Sequence, residues 1–274
     1  MKNLIFALIA LVVLSSCSEY QKVLKKSDDA AKYDLAVELY EKGKETDKNR
    51  FYKKSLRLQE QIINKYRGKP QGQKLSFLYA DTYYQLGDYF ISGYQFERFT
   101  AAYPKSEKTE EAKFKSAKSY YEVSPRYSLD QTDTKKGIDK LQAYLNTYPQ
   151  GEFYEEANIL VSELQTKLEK KAYEIAKQYH HTLYYKAAIE AMDNFISDYP
   201  GSPFREKAYY YKFESAYLLA INSYRYLMEE RLEAAKELYN DYIKRFPQGE
   251  FYEEANTQLA DIETRLQNFK KVTS

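Results

Sequence analysis

An internal repeat constrains the fold of this chain more than any other feature of its sequence. Residues 148–158 and 246–256 share the run Pro-Gln-Gly-Glu-Phe-Tyr-Glu-Glu-Ala-Asn after one aromatic residue. The same pair of an aromatic residue and a proline occurs at Tyr103-Pro104 and Tyr199-Pro200. The four prolines at 104, 149, 200 and 247 are therefore spaced at intervals of 45, 51 and 47 residues. Self-similarity of this length predicts an array of similar units that bury their apolar faces against one another.

Each proline ends a stretch with helical periodicity. Apolar side chains stand one, five and eight residues before it, as at Phe96, Phe99 and Tyr103, and these offsets lie on one helix face. Proline disfavours helical backbone in the residue before it and so ends the helix. An alanine eight residues after each proline lets two helices approach closely; these are Ala112, Ala157, Ala208 and Ala255. Each unit is therefore predicted to be a helical hairpin.

The predicted fold is all-α, a superhelical solenoid of about five helical hairpins. The unit resembles the tetratricopeptide repeat, which also ends in proline after an aromatic residue, but its spacing is some ten residues longer. The extra length implies extended helices or insertions. Residues 122–137 read as an insertion, and residues 165–187 read as a continuous helix because no proline or glycine interrupts them.

The predicted organisation assigns the chain to segments. We expect hairpins at residues 29–70, 73–104, 107–149, 152–200 and 203–247, and a charged closing helix from 250 to about 270. Functionally, residues 29–149 would be N-terminal repeats with a substrate-side groove. Residues 150–274 would be C-terminal repeats with a docking side and a capping helix.

The N-terminal residues predict export and lipid anchoring. Lys2 precedes an apolar run that ends at Leu14, so residues 1–16 read as a signal peptide, and the run is too short for a spanning helix. Leu14-Ser15-Ser16-Cys17 resembles the lipobox of bacterial lipoproteins, in which the cysteine is acylated and becomes the first mature residue. Residues 17–28 would then be a lipidated tether. The alternative is an ordinary thiol after an ordinary signal peptide.

Catalytic and cofactor motifs are missing from the sequence. Its only histidines, His180 and His181, are adjacent on a predicted helix and cannot face one metal together, so they read as surface rings or as one half-buried ring. Phosphate-loop, dinucleotide-binding and nucleophile-elbow patterns do not occur. We predict no enzyme, no catalytic residues, no metal and no cofactor. The 42 basic and 40 acidic side chains give no support for nucleic-acid binding.

Tyrosine is unusually abundant, with 31 residues against no tryptophan. Most rings fit the hairpin cores. Clusters such as Tyr83-Tyr84 and Tyr209-Tyr210-Tyr211 place adjacent rings about 100° apart on a helix, so at least one must point to a flank or a groove. Tyrosine suits protein recognition, and some of these rings are predicted to contact partners.

Together, the lipobox, the hairpin array and the Tyr-Pro punctuation resemble the BamD family of lipoproteins of the outer-membrane β-barrel assembly machinery. The most telling stretch runs from Tyr148 to Tyr154, continues as a long helix, and resumes from Ala187 to Pro200. The resemblance implies a periplasm-facing outer-membrane lipoprotein. Its N-terminal repeats would receive unfolded outer-membrane protein precursors, and its C-terminal repeats would dock on the periplasmic domain of the barrel-forming assembly subunit.

By that resemblance, candidate contact residues fall in two groups. The groove of the first three hairpins would use Tyr79, Tyr83, Tyr84 and Arg98. The docking surface would use Tyr209, Tyr210 and Arg225. The chain departs from the family pattern by an insertion around residues 221–235, which would form a surface for a lineage-specific partner.

Three other functions compete with this reading. An outer-membrane lipoprotein that captures glycans is possible on the same repeats, although such proteins are longer and their sugar platforms favour tryptophan. A coordinator of peptidoglycan synthesis or division would need a coiled-coil segment, for which residues 17–28 are too short. A lytic enzyme would need an acidic catalytic site that the sequence does not offer.

Overall fold

The computed structural model of the protein describes residues 19–273, with side chains described as far as residue 269. Within that part the chain is α-helical and contains no strand. Its helices are α1 (Asp29–Thr46), α2 (Asn49–Ile62), α3 (Gly72–Gln85), α4 (Tyr89–Ala102), α5 (Thr109–Glu122), α6 (Thr132–Thr147), α7 (Tyr154–His181), α8 (Tyr185–Asp198), α9 (Arg205–Ile221), α10 (Arg225–Arg245) and α11 (Tyr252–Thr273). The prediction of an all-α array of tetratricopeptide-like hairpins is confirmed.

The described residues form two compact units. Unit 1 comprises residues 19–125 and 131–164, and unit 2 comprises residues 126–130 and 165–273. The boundary lies within α7, whereas the functional division predicted from the sequence lies at 149/150 and stays a prediction. The predicted signal peptide and Cys17 lie outside the described residues.

The repeated apolar positions form the cores of both units. In unit 1, Phe96, Phe99 and Leu141 are almost fully buried, and in unit 2 Met192 and Tyr242 are buried in the same way. The four alanines that follow the prolines, Ala112, Ala157, Ala208 and Ala255, are completely buried. The predicted roles of these positions in helix packing are therefore confirmed.

The aromatic residue before each proline caps its helix. Tyr103, Tyr148, Tyr199 and Phe246 are the C-caps of α4, α6, α8 and α10, with φ near −130° and ψ near 60°. Each cap N–H donates to the carbonyl of the aromatic residue four positions earlier. This backbone lies outside the helical region, as the following proline requires.

The duplicated eleven-residue segment folds into the same joint in each unit. In unit 1, the Tyr144 hydroxyl donates to Glu110 Oε1 at 3.0 Å, and the Glu152 N–H donates to the same oxygen at 2.8 Å. The Phe153 N–H donates to Tyr144 Oη at 3.2 Å. One carboxylate and one tyrosine thereby satisfy the backbone N–H groups of the turn before α7, which would otherwise lack partners.

Unit 2 repeats this joint before α11. Glu206 accepts from the Tyr242 hydroxyl at 3.3 Å and from the Glu250 N–H at 2.5 Å. A Cβ on Gly151 or Gly249 would lie 2.3 Å from a glutamate oxygen, so a larger residue at either position would displace that carboxylate from the joint. The repeated sequence therefore forms the same turn in both units, and each turn packs against the preceding hairpin.

Two predicted boundaries are wrong. The helix predicted across residues 165–187 ends at His181, because Leu183 adopts left-handed backbone with φ +64° and the Tyr184 N–H donates to the Tyr179 carbonyl. Gly87 makes the corresponding turn between α3 and α4 at φ +81°. The insertion predicted at residues 122–137 is shorter, since α5 continues to Glu122 and α6 begins at Thr132.

The predicted tether at residues 17–28 is largely folded where the structure describes it. Residues 19–25 are helical, and Tyr20 is only 5% exposed. Its ring packs with Ala36, Leu39 and Leu58 of the first hairpin. Of the residues that the structure describes, Tyr20 is therefore already packed into unit 1.

Candidate binding surfaces of the helical hairpins

A charged groove runs along the first helices of three successive hairpins in unit 1. It is lined mainly by residues from α1, α3 and α5, with Phe99 of α4, and has a volume of about 370 Å³. Phe77, Leu78 and Phe99 contribute apolar surface to it. We call this cavity the charged groove. Its polar lining consists of Tyr40, Glu41, Lys44, Gln73, Lys74, Asp81, Gln85, Lys108, Glu111 and Lys115.

A buried ion pair lies at the centre of the charged groove. The Asp81 side chain is 1% exposed, and its Oδ1 accepts from Lys115 Nζ at 2.6 Å. Its Oδ2 accepts from the Tyr40 hydroxyl and from Gln85 Nε2 at 3.2 Å. Lys115 also contacts Glu111 at 2.9 Å. These bonds join α1, α3 and α5 through one carboxylate.

The environment of this network shifts several pKa values. Burial and the adjacent Asp81 carboxylate raise the pKa of Tyr40. Burial lowers the pKa of Lys115, but Asp81 and Glu111 outweigh it and the net shift is upward. Burial raises the pKa of Glu111, but Lys108 and Lys115 outweigh it and the net shift is downward. The three groups therefore keep their ordinary charges over a wide pH range.

The charged groove is suited to binding rather than to acid–base chemistry. Both oxygens of Asp81 are occupied by donors, so this carboxylate is not available as a base. Lys44 and Lys74 also line the groove, and neither forms an ion pair within the described residues. The groove thus combines an apolar floor with two cations that can meet a ligand.

A second cavity of unit 1, the arginine pocket, lies at the ends of α2 and α4. Its volume is about 420 Å³, and its polar lining consists of Asn64, Arg67, Ser76, Tyr79, Gln95, Arg98 and Tyr103. No carboxylate lines it. The apolar stems of the arginines and the surrounding alanines give it an amphipathic surface with a positive field.

The predicted groove residues divide between these two cavities. Tyr79 and Arg98 line the arginine pocket. Tyr83 is buried beside Tyr79, with 3.3 Å between their hydroxyl oxygens, and also lies 3.2 Å from Glu60. Tyr84 is half-buried on the opposite side of α3, where Lys115 Nζ lies 6.0 Å from its ring centroid. The four residues do not form one surface.

Burial also dominates the pKa values of the two neighbouring tyrosines. Burial, Tyr79 and Glu60 raise the pKa of Tyr83. Burial and the nearby carboxylate of Glu122 raise the pKa of Tyr84. Both hydroxyls therefore stay protonated and act as hydrogen-bond groups.

The predicted docking tyrosines of unit 2 lie in its core. Tyr209 is 6% exposed and Tyr210 is 4% exposed. The Tyr210 ring stacks on Phe251 with centroids 4.2 Å apart, and its hydroxyl donates to Glu214 at 3.1 Å. Their rings pack hairpins together in this structure, and their contact with a partner stays untested.

Exposed aromatic residues of unit 2 surround Arg225 instead. Arg225 is exposed, and its guanidinium lies 5.6 Å from the Phe269 ring centroid. Tyr224 and Tyr226 are 77% and 79% exposed, with nearly parallel rings whose centroids are 6.0 Å apart. These residues fall within residues 221–235, where an insertion relative to the BamD family was predicted. No pattern in the sequence separates them from the core tyrosines.

His180 is the half-buried ring of the histidine pair. Its Nδ1 lies 2.9 Å from Ser215 Oγ, and its Nε2 lies 3.3 Å from a Glu214 oxygen. Burial lowers the pKa of His180, Glu214 partly opposes this, and His181 and Lys177 lower it further. Ser215 is completely buried, and the contacts of His180 with Ser215 and Glu214 join α7 to α9.

The described residues contain neither a candidate metal site nor a candidate membrane-spanning helix. Among them, no cluster of three or more histidine, cysteine, aspartate or glutamate side chains could hold a metal ion. None of the described helices combines the length and apolar character needed to cross a bilayer.

Comparison with models of known protein families identifies the family of this chain. A family model named YfiO and described as outer membrane lipoprotein matches residues 33–227, more than half of the chain. The chain belongs to the YfiO family of outer membrane lipoproteins. This match includes the charged groove, the arginine pocket and most of the hairpin array. Family and fold are those of scaffolds that typically lack catalysis.

Other comparisons add little. Curated protein sequences gave no significant match. Among solved structures, a candidate kinesin light chain from Podosopora anserina with nearly identical TPR-like repeats is 12% identical. The match covers 78% of this chain and 95% of that chain, with a TM-score of 0.32.

Proposed function

We propose that this chain is a lipid-anchored, non-catalytic scaffold that assists the folding and insertion of outer-membrane β-barrel proteins. The observation that carries the proposal is the match to the YfiO family over residues 33–227. The resemblance stated from the sequence supplies the finer role. Precursors would bind unit 1, and the barrel-forming assembly subunit would bind the C-terminal repeats.

The two cavities of unit 1 are the proposed precursor sites. An unfolded barrel strand presents alternating aromatic side chains and an unpaired backbone. The arginine pocket offers Tyr79 for stacking, while Arg67 and Arg98 can bind carbonyl or carboxylate oxygens. The charged groove offers a second stretch of mixed apolar and cationic surface along α1, α3 and α5.

The surface around Arg225 is the proposed docking site for the assembly subunit. Exposed tyrosine and arginine side chains are the types that contribute most to protein interfaces. Tyr224 and Tyr226 stand beside Arg225 and provide such a surface in unit 2. Tyr209 and Tyr210 pack against Phe246 and Phe251 instead and are not part of this surface.

Lipid attachment at Cys17 would hold these sites at the outer membrane, facing the periplasm. Confining scaffold, precursor and assembly subunit to one surface raises their effective concentration without any additional contact. A Cys17→Ala variant is expected to lose tight membrane attachment. Unchanged fractionation of that variant would refute the anchor.

Photocrosslinking from defined positions in native outer membranes tests this function. A photoreactive amino acid at Arg98 should capture barrel precursors, and one at Arg225 should capture the barrel-forming subunit. The exposed Asn146 on α6 is a control position that should capture neither. Recovery of only glycan importers or division proteins from Arg98 and Arg225 would reject the proposal.

A further inference from the structure

The segment that follows Cys17 packs directly onto the first hairpin. The Tyr20 hydroxyl donates to the Lys54 carbonyl at 3.2 Å, and Lys54 Nζ lies 5.0 Å from the Tyr20 ring centroid. Val23 and Leu24 pack against the same apolar cluster. A fully extended chain spans at most about 3.6 Å per residue, so Cys17 lies within about 11 Å of the Tyr20 Cα. Any anchor on Cys17 therefore holds this end of unit 1 very close to the bilayer.

Basic side chains are concentrated on the short helix at residues 19–25 and on α2, against which it packs. We name Lys22, Lys25, Lys26, Arg50, Lys53, Lys54 and Arg57 the basic face. Lys22, Lys25 and Lys26 are exposed on or directly after the short helix at residues 19–25. On α2, Arg50, Lys53 and Arg57 are exposed at spacings of three and four residues, which places them on one side of the helix. Lys54 joins the two elements through Tyr20.

Carboxylates flank this concentration of positive charge at Glu19, Asp28 and Glu60 but form no ion pair with it. Residues 20–27 and 49–59 contain no carboxylate. No member of the basic face forms an ion pair with another described residue. Glu60, which follows on α2, lies 3.2 Å from the Tyr83 hydroxyl. Like charges three and four residues apart on a helix repel one another. Binding of an anionic partner would therefore reduce the electrostatic repulsion between the basic side chains of α2.

We propose that the basic face is a second membrane contact, which binds the anionic headgroups of phospholipids beside the lipid anchor. This inference rests on the proposed attachment at Cys17. Electrostatic attraction acts over about 8–10 Å at moderate salt, which is comparable with the reach from Cys17 to Tyr20. A basic patch next to a lipid anchor strengthens attachment and opposes rotation about the anchor. The anchor sets where unit 1 lies, and the basic face sets which side faces the lipid.

The test uses the mature chain from residue 17 with Cys17→Ala, which removes the acyl anchor and leaves the fold intact. Cosedimentation is measured with vesicles of phosphatidylethanolamine and phosphatidylglycerol, and with vesicles of phosphatidylcholine alone. We expect binding to the anionic vesicles that weakens steeply with salt. Substituting Arg50, Lys53 and Arg57 by glutamine should weaken binding roughly fivefold per residue, or about 100-fold together.

A charge-matched variant of unit 2 provides the control. Lys186, Lys244 and Arg245 are exposed, and their replacement by glutamine changes the net charge by the same amount. This control should bind anionic vesicles like the parent. Equal loss in both variants would reduce the effect to net charge and overturn the proposal. Failure of the parent to bind anionic vesicles in low salt would overturn it as well.

A fluorescent reporter locates the contact independently. The chain contains no tryptophan, so Gln21→Trp introduces a single fluorophore on the exposed side of the short helix. Its emission should shift to the blue with anionic vesicles, whereas that of Tyr226→Trp should not. A shift only at residue 226 would contradict the proposal. Because these measurements use lipid alone, their failure would leave the proposed assembly role standing, and failed crosslinking to assembly proteins would leave this contact standing.

Discussion

Lys115→Met tests whether the buried ion pair holds the charged groove together. In this variant Asp81, which is 1% exposed, loses its only cationic partner among the described residues and keeps the Tyr40 and Gln85 hydrogen bonds. Removing one partner of a buried pair costs about 3–5 kcal/mol. Lys115 is 22% exposed, so water can partly replace it and the lower value applies. We expect a loss of about 3 kcal/mol in the stability of unit 1.

Hydrogen exchange followed by mass spectrometry measures this loss within each unit. A loss of 3 kcal/mol corresponds to roughly 100-fold faster exchange in peptides from α3 and α5. Peptides from α9 and α10 of unit 2 are an internal reference. Lys118→Met on the same helix removes an exposed pair with Glu156 and should cost less than about 1 kcal/mol.

The paired variant Asp81→Asn with Lys115→Met completes the test. Removing both charges leaves no buried carboxylate without a counterion, so about 2 kcal/mol of the loss should be regained. Equal effects of Lys115→Met and Lys118→Met would refute the reasoning. Additive losses in the paired variant would refute it too, because they would mean that the two charges do not interact.

Three further substitutions test the turns and the histidine. Leu183→Gly should stabilise unit 2 by about 1 kcal/mol in chemical unfolding, since glycine adopts left-handed backbone without strain and this leucine is 67% exposed; no gain, or an equal gain from Leu183→Ala, would contradict this. Gly151→Ala should lower the Tm by several degrees because its Cβ would lie 2.9 Å from the Tyr148 Cβ and would displace the Glu110 carboxylate from its hydrogen bonds, whereas Gly201→Ala, with open space around it, should not. The pKa of His180 lies below its usual 6.5 in the folded protein, so the unfolded chain binds more protons as pH falls through 6.5 and stability declines there. His180→Gln should remove the contribution of His180 to this loss of stability between pH 7.5 and 5.5. An unchanged pH dependence of hydrogen-exchange protection in the variant would contradict this expectation.

The helical architecture could be predicted because it depends on local periodicity. The apolar positions before each proline recur with offsets of three and four residues, and the structure buries them as predicted, as at Phe99 and Leu141. The prolines correctly predicted that helices end at Tyr103 and Tyr148. The end at His181 did not, because a leucine in left-handed backbone gives no sequence signal of a turn.

The candidate sites were harder to predict because their partners are distant in sequence. Asp81 meets Tyr40 and Lys115 only after three hairpins have packed, and no motif links these positions. One signal was available, since Asp81 is a lone carboxylate among the apolar residues of α3. The tyrosines were ambiguous for a related reason: Tyr210 and Tyr226 have the same chemistry, but the first is buried and the second is exposed.

The proposed role in barrel assembly is tested by depleting the chain from cells and quantifying folded β-barrel proteins in the outer membrane by their resistance to mild detergent denaturation. We expect the amount of folded barrel protein to decrease and unfolded precursors to accumulate. The wild-type chain should restore folding, and a chain with Arg67→Glu and Arg98→Glu in the arginine pocket should restore it poorly despite normal membrane attachment. Normal barrel folding in depleted cells would contradict a role of this protein in barrel assembly.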